Sequence, residues 1–129
     1  IKPVDELVIY MAETILSDPA YTRTLREWDR DAGQWIEKEF TDVPFAGGDK
    51  VIALVNSMGG TPISELYIIY RKLAEVCETK KIAIVRNLVG HYITALEMQG
   101  FSITLLKTDD EILKLWDAPV KTPALRWGA

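Results

Sequence analysis

The sequence predicts an α/β fold: a small mixed sheet built around a parallel βαβ unit, with helices on both faces. Three observations predict it. Residues 51–55 are an apolar run rich in β-branched side chains, suited to a strand buried on both faces, and they lead through Asn56, Gly59 and Gly60 into an amphipathic segment beginning at Pro62. A second apolar run, 82–85 and onward to Leu88, follows that segment, so strand, helix and strand form a unit with parallel strands and a right-handed crossover. In 101–106, Phe101, Ile103 and Leu105 alternate with Ser102 and Thr104, the period-two signature of a third strand.

The first helix is expected over 2–16. Pro3 sits near its first turn, Asp5 and Glu6 lie at the end the dipole favours, and Val4, Leu7, Val8, Met11 and Ile15 form one stripe; Ser17, Asp18 and Pro19 end it. Residues 21–40 also read as helical, because Tyr21, Leu25, Trp28, Ala32, Trp35, Ile36 and Phe40 recur every three or four positions, with a break expected near Gly33. Asp29, Asp31, Glu37 and Glu39 then fall on a solvated face beside Arg26, Arg30 and Lys38, which argues against acid/base work. A loop over 41–50, marked by Pro44, Gly47 and Gly48, leads into the central strand.

At the glycine turn, one or both of Gly59 and Gly60 serve positive φ or close backbone approach. Thr61 is positioned to cap the next helix, Pro62 to occupy its first turn and Glu65 to face its positive end. That helix carries Ile63, Leu66, Tyr67, Tyr70, Leu73, Ala74 and Cys77 at helical spacing, with Ile68, Ile69 and Val76 off the stripe, more apolar surface than one face needs. It is expected to be buried on two sides or to meet another chain. Residues 89–100 read as a loop with one helical turn, Asp109, Asp110 and Glu111 open a last helix through Trp116, and 120–129 form an extended tail anchored by Trp127.

At 129 residues the chain is one domain, 1–129, with 21–40 as a helical insertion. A net charge of −4 gives no footprint for nucleic acid, and no run reaches the ~18 apolar residues of a membrane span. Cys77 stands alone, so the expected setting is reducing and cytoplasmic, with Cys77 itself packed in the core. Three strands leave open sheet edges that upstream strands or a partner subunit should cover.

Chemistry is sparse. The glycine turn lacks the Lys-Ser/Thr pair of a P-loop and the spacing of a dinucleotide fingerprint. One histidine, His91, supports neither a metal site nor a Cys-His dyad, and as a lone loop residue it is weighed chiefly as structural. Asn56, Ser57, Thr94 and Glu97 stand at strand ends, where open α/β sheets bind ligands, and only their location commends them.

Four blocks, in order, carry a family resemblance: LVNSMGGTP at 54–62 with Glu65, Leu66 and Tyr67; Val89-Gly90; LEMQGFSITLLK at 96–107; and DDEIL at 109–113 with Asp117-Ala118-Pro119. Over about 47–127, and in its first helix, the chain resembles the C-terminal part of the dihydroxyacetone kinase substrate-binding subunit. The resemblance implies an incomplete C-terminal domain of a two-domain subunit, usually homodimeric. Such a subunit binds dihydroxyacetone as a hemiaminal on a histidine ring nitrogen, and a partner kinase subunit supplies nucleotide and magnesium; in bacterial forms a phosphotransferase-system component regenerates that nucleotide from phosphoenolpyruvate. The covalent histidine belongs to a stretch expected before Ile1, and the other substrate contacts belong to the upstream N-terminal domain. His91 stands where the family more often has a small polar residue, so the resemblance assigns no catalytic, substrate-binding or metal residue to this chain, and no cofactor of its own. Residues 21–40 resemble an insertion in a shorter link. The rival readings are a non-catalytic dihydroxyacetone-binding paralogue that controls transcription, and a dimerisation or docking module.

Overall fold

The computed structural model describes residues 2–128. Helix α1 (Val4–Leu16) is followed by strands β1 (Thr22–Asp29), β2 (Gln34–Thr41) and β3 (Lys50–Ser57), helix α2 (Ile63–Thr79), strands β4 (Ala83–Gly90) and β5 (Phe101–Lys107), helix α3 (Asp110–Trp116), and the short strands β6 (Val120–Lys121) and β7 (Arg126–Trp127). The central sheet has the order β4-β3-β5, with β4 parallel and β5 antiparallel to β3. This is the mixed sheet with a parallel βαβ unit that the apolar runs predict.

The core forms where α1 and α2 cover one face of that sheet. Val51, Ala53 and Val55 of β3 meet Leu66, Ile69, Leu73 and Cys77 of α2, with Val8, Ala12 and Leu16 of α1 in the same cluster. Burying each of the larger aliphatic side chains stabilises by about 1.5–3 kcal/mol. Helix α2 packs on α1 as well as on β3 and β4, which explains its excess of apolar residues. Ile69 is therefore core, while Ile68 remains exposed. On the opposite face, in register with Ile52 of β3, Arg86 of β4 holds Asp117 at the end of α3 through two hydrogen bonds of 2.8 and 2.7 Å. Helices thus flank both faces, tightly on one and by ion pairing on the other.

Three local expectations are corrected. Residues 21–40 are not helical: β1 and β2 form an antiparallel hairpin with Thr22 opposite Thr41 and Asp29 opposite Gln34. Asp29 makes the turn, its Oδ1 accepting from the N–H groups of Asp31 and Ala32, and Gly33 closes it at φ 63°. Residues 91–99 contain no helical turn; β4 continues to Gly90 and the chain then bends until Met98 bridges to Gly59. The tail is a small antiparallel pair, β6 with β7, and Trp127 stacks on Trp116 at 5.7 Å as the expected anchor. Ala129, at the end of that tail, lies outside the described residues.

Helix α2 ends in a Schellman motif, with Ile82 N–H donating to Cys77 C=O at 2.8 Å and Lys81 N–H to Glu78 C=O at 2.9 Å. Lys81 holds the left-handed position at φ 60°, where glycine is the usual occupant.

Candidate functional site at the turn between β3 and α2

The turn over residues 58–62 lies at the C-terminal ends of the parallel strands β3 and β4, where open α/β sheets place their ligands. Its polar groups are directed inward. Asn56, 1% exposed, accepts at Oδ1 from Tyr92 N–H (2.9 Å) and Ile93 N–H (2.8 Å) and donates from Nδ2 to Ile93 C=O (2.6 Å). Ser57, fully buried, donates to Thr61 C=O at 2.8 Å and accepts from Gly59 N–H at 3.0 Å. Thr61 does not cap α2; its hydroxyl donates to Gly100 C=O at 2.8 Å and accepts from Gly100 N–H at 3.1 Å, and Pro62 precedes the first helical residue with no side-chain cap.

The two glycines divide the geometric work. Gly59 has φ 113°, and a Cβ there would stand 2.2 Å from Ala95 C=O. A Cβ on Gly60 would stand 3.0 Å from Glu97 C=O, so Gly60 serves close approach alone. Backbone bonds complete the seam: Met58 N–H to Gly100 C=O at 3.0 Å, Gly60 N–H to Met98 C=O at 2.9 Å, and Ala95 N–H to Met58 C=O at 3.2 Å.

The chemical consequence is direct. The Met58, Gly59 and Gly60 N–H groups already have partners, so the glycine pair does not present the run of free donors of a phosphate-binding loop. No group of three His, Cys, Asp or Glu side chains suited to a metal exists among the described residues. His91, Thr94 and Glu97 are exposed on the 91–99 loop, and the Thr94 hydroxyl donates to Ala95 C=O. Cys77 is buried against the sheet, and that burial pushes its thiol pKa up, which suppresses the reactive thiolate. Asn56 braces the 91–99 loop and Ser57 closes the turn between Gly59 and Thr61, and neither is hydrogen-bonded to His91.

Two concavities lie elsewhere. One of about 330 Å³ sits at the base of the hairpin between Ile15, Tyr21, Asp42 and Phe45. The other, about 410 Å³, runs beside β4 past Tyr70, Ala74, Cys77 and Ile84. Neither receives a buried ionisable side chain other than the Cys77 thiol. No described helix is long and apolar enough to cross a membrane.

Sequence comparison adds what this geometry does not contain. Residues 1–124 match the family described as the Dak1 domain. The chain is 54% identical over 125 residues, 97% of its length, to the PEP-dependent dihydroxyacetone kinase, dihydroxyacetone-binding subunit DhaK, of Escherichia coli K12, covering 35% of that protein. It is 36% identical over 110 residues, 84% of its length, to the corresponding subunit of a PTS-dependent dihydroxyacetone kinase 2 of Listeria innocua, covering 33% of it. Human triokinase/FMN cyclase is 42% identical over 85 residues, 66% of this chain and 14% of that one. The chain spans about a third of the length of the two bacterial subunits.

Proposed function

The chain belongs to the Dak1 domain family, and on that premise we propose that it is the C-terminal part of a dihydroxyacetone-binding kinase subunit, inactive without the rest of that subunit. The observation that carries this reading is the 54% identity to the E. coli dihydroxyacetone-binding subunit, sustained over 97% of the chain. The inward-directed turn supports it, because a domain whose strand-end polar groups are consumed by its own loops acts as scaffold.

In this reading dihydroxyacetone is held by a histidine outside these residues. Its unprotonated ring nitrogen adds to the carbonyl carbon as the C=O π bond breaks, and the resulting oxyanion takes up a proton to balance the one the other ring nitrogen releases, giving a neutral hemiaminal hydroxyl. That bond selects a short carbonyl compound over glycerol and fixes a terminal hydroxyl for in-line attack. The phosphoryl group comes from a nucleotide held with magnesium on a partner subunit, in the cytoplasm, and a phosphotransferase-system component regenerates that nucleotide. No side chain of this chain contacts substrate. Its contribution is to seat the upstream domain and to pair with a second copy in a homodimer.

Intact mass under associating conditions tests the proposal. The complete subunit should gain the mass of one dihydroxyacetone, whereas the 129-residue chain alone should gain none. In the complete subunit His91→Ala should leave turnover within about twofold of wild type. An adduct on the isolated chain, or loss of turnover in His91→Ala, would place the nucleophile here and overturn the reading.

A further inference from the structure

Among the described residues the β1–β2 hairpin has no partner element. Its strands pack on each other, neither packs appreciably on another element, and their sheet has only these two members, so both outer edges are unpaired. A two-stranded ribbon is marginal alone and becomes stable with three or more strands and an apolar face. The register places Tyr21, Leu25, Ile36 and Phe40 on one face with Arg23, Glu27 and Lys38, while the Trp28 and Trp35 rings meet edge to face at 5.5 Å on the other. Trp35 is 65% exposed and Leu25 41%.

Charge order along the two edges separates them. Antiparallel pairing of β1 with β1 of a second copy, about a two-fold axis through Leu25, sets Leu25 against Leu25, Thr24 against Arg26, and Arg23 against Glu27 twice, with no like charges opposed. Moving the axis to Arg26 sets two arginines face to face. On β2, axes at Glu37, Lys38 or Glu39 each oppose like charges, and axes at Trp35, Ile36 or Phe40 bring no opposite charges together within the strand, so the Leu25 register of β1 is the one that gains ion pairs inside its own strand. We propose that β1 is the self-association edge of this protein, joining two copies into a four-stranded antiparallel ribbon centred on Leu25. This rests on the homodimer reading above and supplies its surface. The joined ribbon gathers Tyr21, Leu25, Ile36 and Phe40 of both hairpins onto one face and leaves only the β2 edges open.

The charge pattern gives a test that ordinary destabilisation cannot imitate. Within one hairpin, Arg23 is bonded to Asp42 at 3.1 Å and Glu27 to Lys38 at 3.1 Å. Arg23→Glu or Glu27→Arg alone should weaken dimerisation of the full 129-residue chain about tenfold or more, read by sedimentation equilibrium. Mixing the two variants should restore a heterodimer, because each chain then meets an opposite charge at both contacts although the internal partners Asp42 and Lys38 remain mismatched. Leu25→Cys, an exposed and mild change, should form an intermolecular disulfide under gentle oxidation. Lys38→Cys on the outer strand should not, nor should the wild type, whose Cys77 is buried.

A Leu25→Cys dimer that forms without the disulfide cross-link, or a mixture that fails to recover, overturns the β1 register while leaving the homodimer standing. A chain that stays monomeric overturns both and gives the ribbon to a segment of the longer protein. If the charge variants do not fold, the Leu25→Cys and Lys38→Cys pair decides alone.

Discussion

Asn56 treats Ile93 as a strand would: Oδ1 accepts from its N–H at 2.8 Å and Nδ2 donates to its C=O at 2.6 Å, so a buried side chain supplies both halves of a backbone ladder step. The 91–99 loop, with Leu96 98% exposed, gains a fixed root from this pairing despite having few buried residues of its own. Asn56→Ala should cost about 2–3 kcal/mol, since it leaves backbone groups of residues 92 and 93 without partners at a part-buried site. The check is chemical denaturation together with hydrogen exchange. Protection at Tyr92 and Ile93 should collapse, and unchanged protection there would show that the loop is held by something else.

Gly59 should be the less replaceable of the two turn glycines. Gly59→Ala combines a left-handed backbone with a Cβ 2.2 Å from Ala95 C=O, and the expected cost is about 3 kcal/mol or more. Gly60→Ala meets its nearest atom at 3.0 Å and should cost roughly 1 kcal/mol. Paired melting curves settle the order, and equal losses would refute the division of labour.

Lys81 at φ 60° offers a stabilising change. Lys81→Gly removes the Cβ penalty of the left-handed conformation, about 1–2 kcal/mol, against about 0.5–1 kcal/mol of extra backbone entropy, for a net gain of roughly 0.5–1 kcal/mol. A lower denaturation midpoint in the glycine variant would mean that the lysine stem contributes packing beside the groove it lines.

These positions show where sequence reasoning reaches. Helices α1 and α2 and strand β5 are legible because each repeats its apolar residues with one period, strands β3 and β4 because they are short apolar runs around α2, and α3 because Asp109, Asp110 and Glu111 open it. The hairpin defeats that logic: it buries neither face against the domain, so Tyr21, Leu25, Trp28, Trp35 and Phe40 follow no burial period, and their spacing imitates a helix. Better signals lay in the β-branched Thr22, Thr24 and Thr41 and in Asp29 followed by Gly33. The brace at Asn56 and the Thr61 bonds to Gly100 were invisible for another reason. Their partners lie 36 to 39 residues away, and only the folded topology brings them together.

The tie between α3 and the sheet should be sensitive to acid. The Arg86 guanidinium holds the Asp117 carboxyl below its ordinary value. A carboxylate with a depressed folded pKa contributes stability above the unfolded value of about 3.9 and loses it as pH falls through the folded one. Below roughly pH 4, therefore, α3 and the Trp127 indole, which donates to Ala118 C=O at 2.9 Å, should loosen. The Trp127 indole N–H resonance should move on acidification, and Asp117→Asn should show the same move at neutral pH. A resonance indifferent to both would assign the docking of α3 to the Trp116–Trp127 stack alone.

The hairpin should be removable. Asp42 N–H donates to Tyr21 C=O at 3.0 Å, which is the hydrogen bond that closes a two-residue turn. Replacing residues 22–41 by Asn-Gly keeps Tyr21 and Asp42 in that relation with a turn sequence suited to it. None of the twelve residues that form the buried core is removed, and the loop closed between α1 and β3 becomes shorter. The melting temperature of the shortened chain should therefore stay within about 5 °C of wild type, since a change under 1 kcal/mol shifts a domain of this size by a few degrees. Self-association should be lost in the same variant. An insoluble product, or one that melts far lower, would make the hairpin part of the folding unit and remove the case for reading it as an appendage.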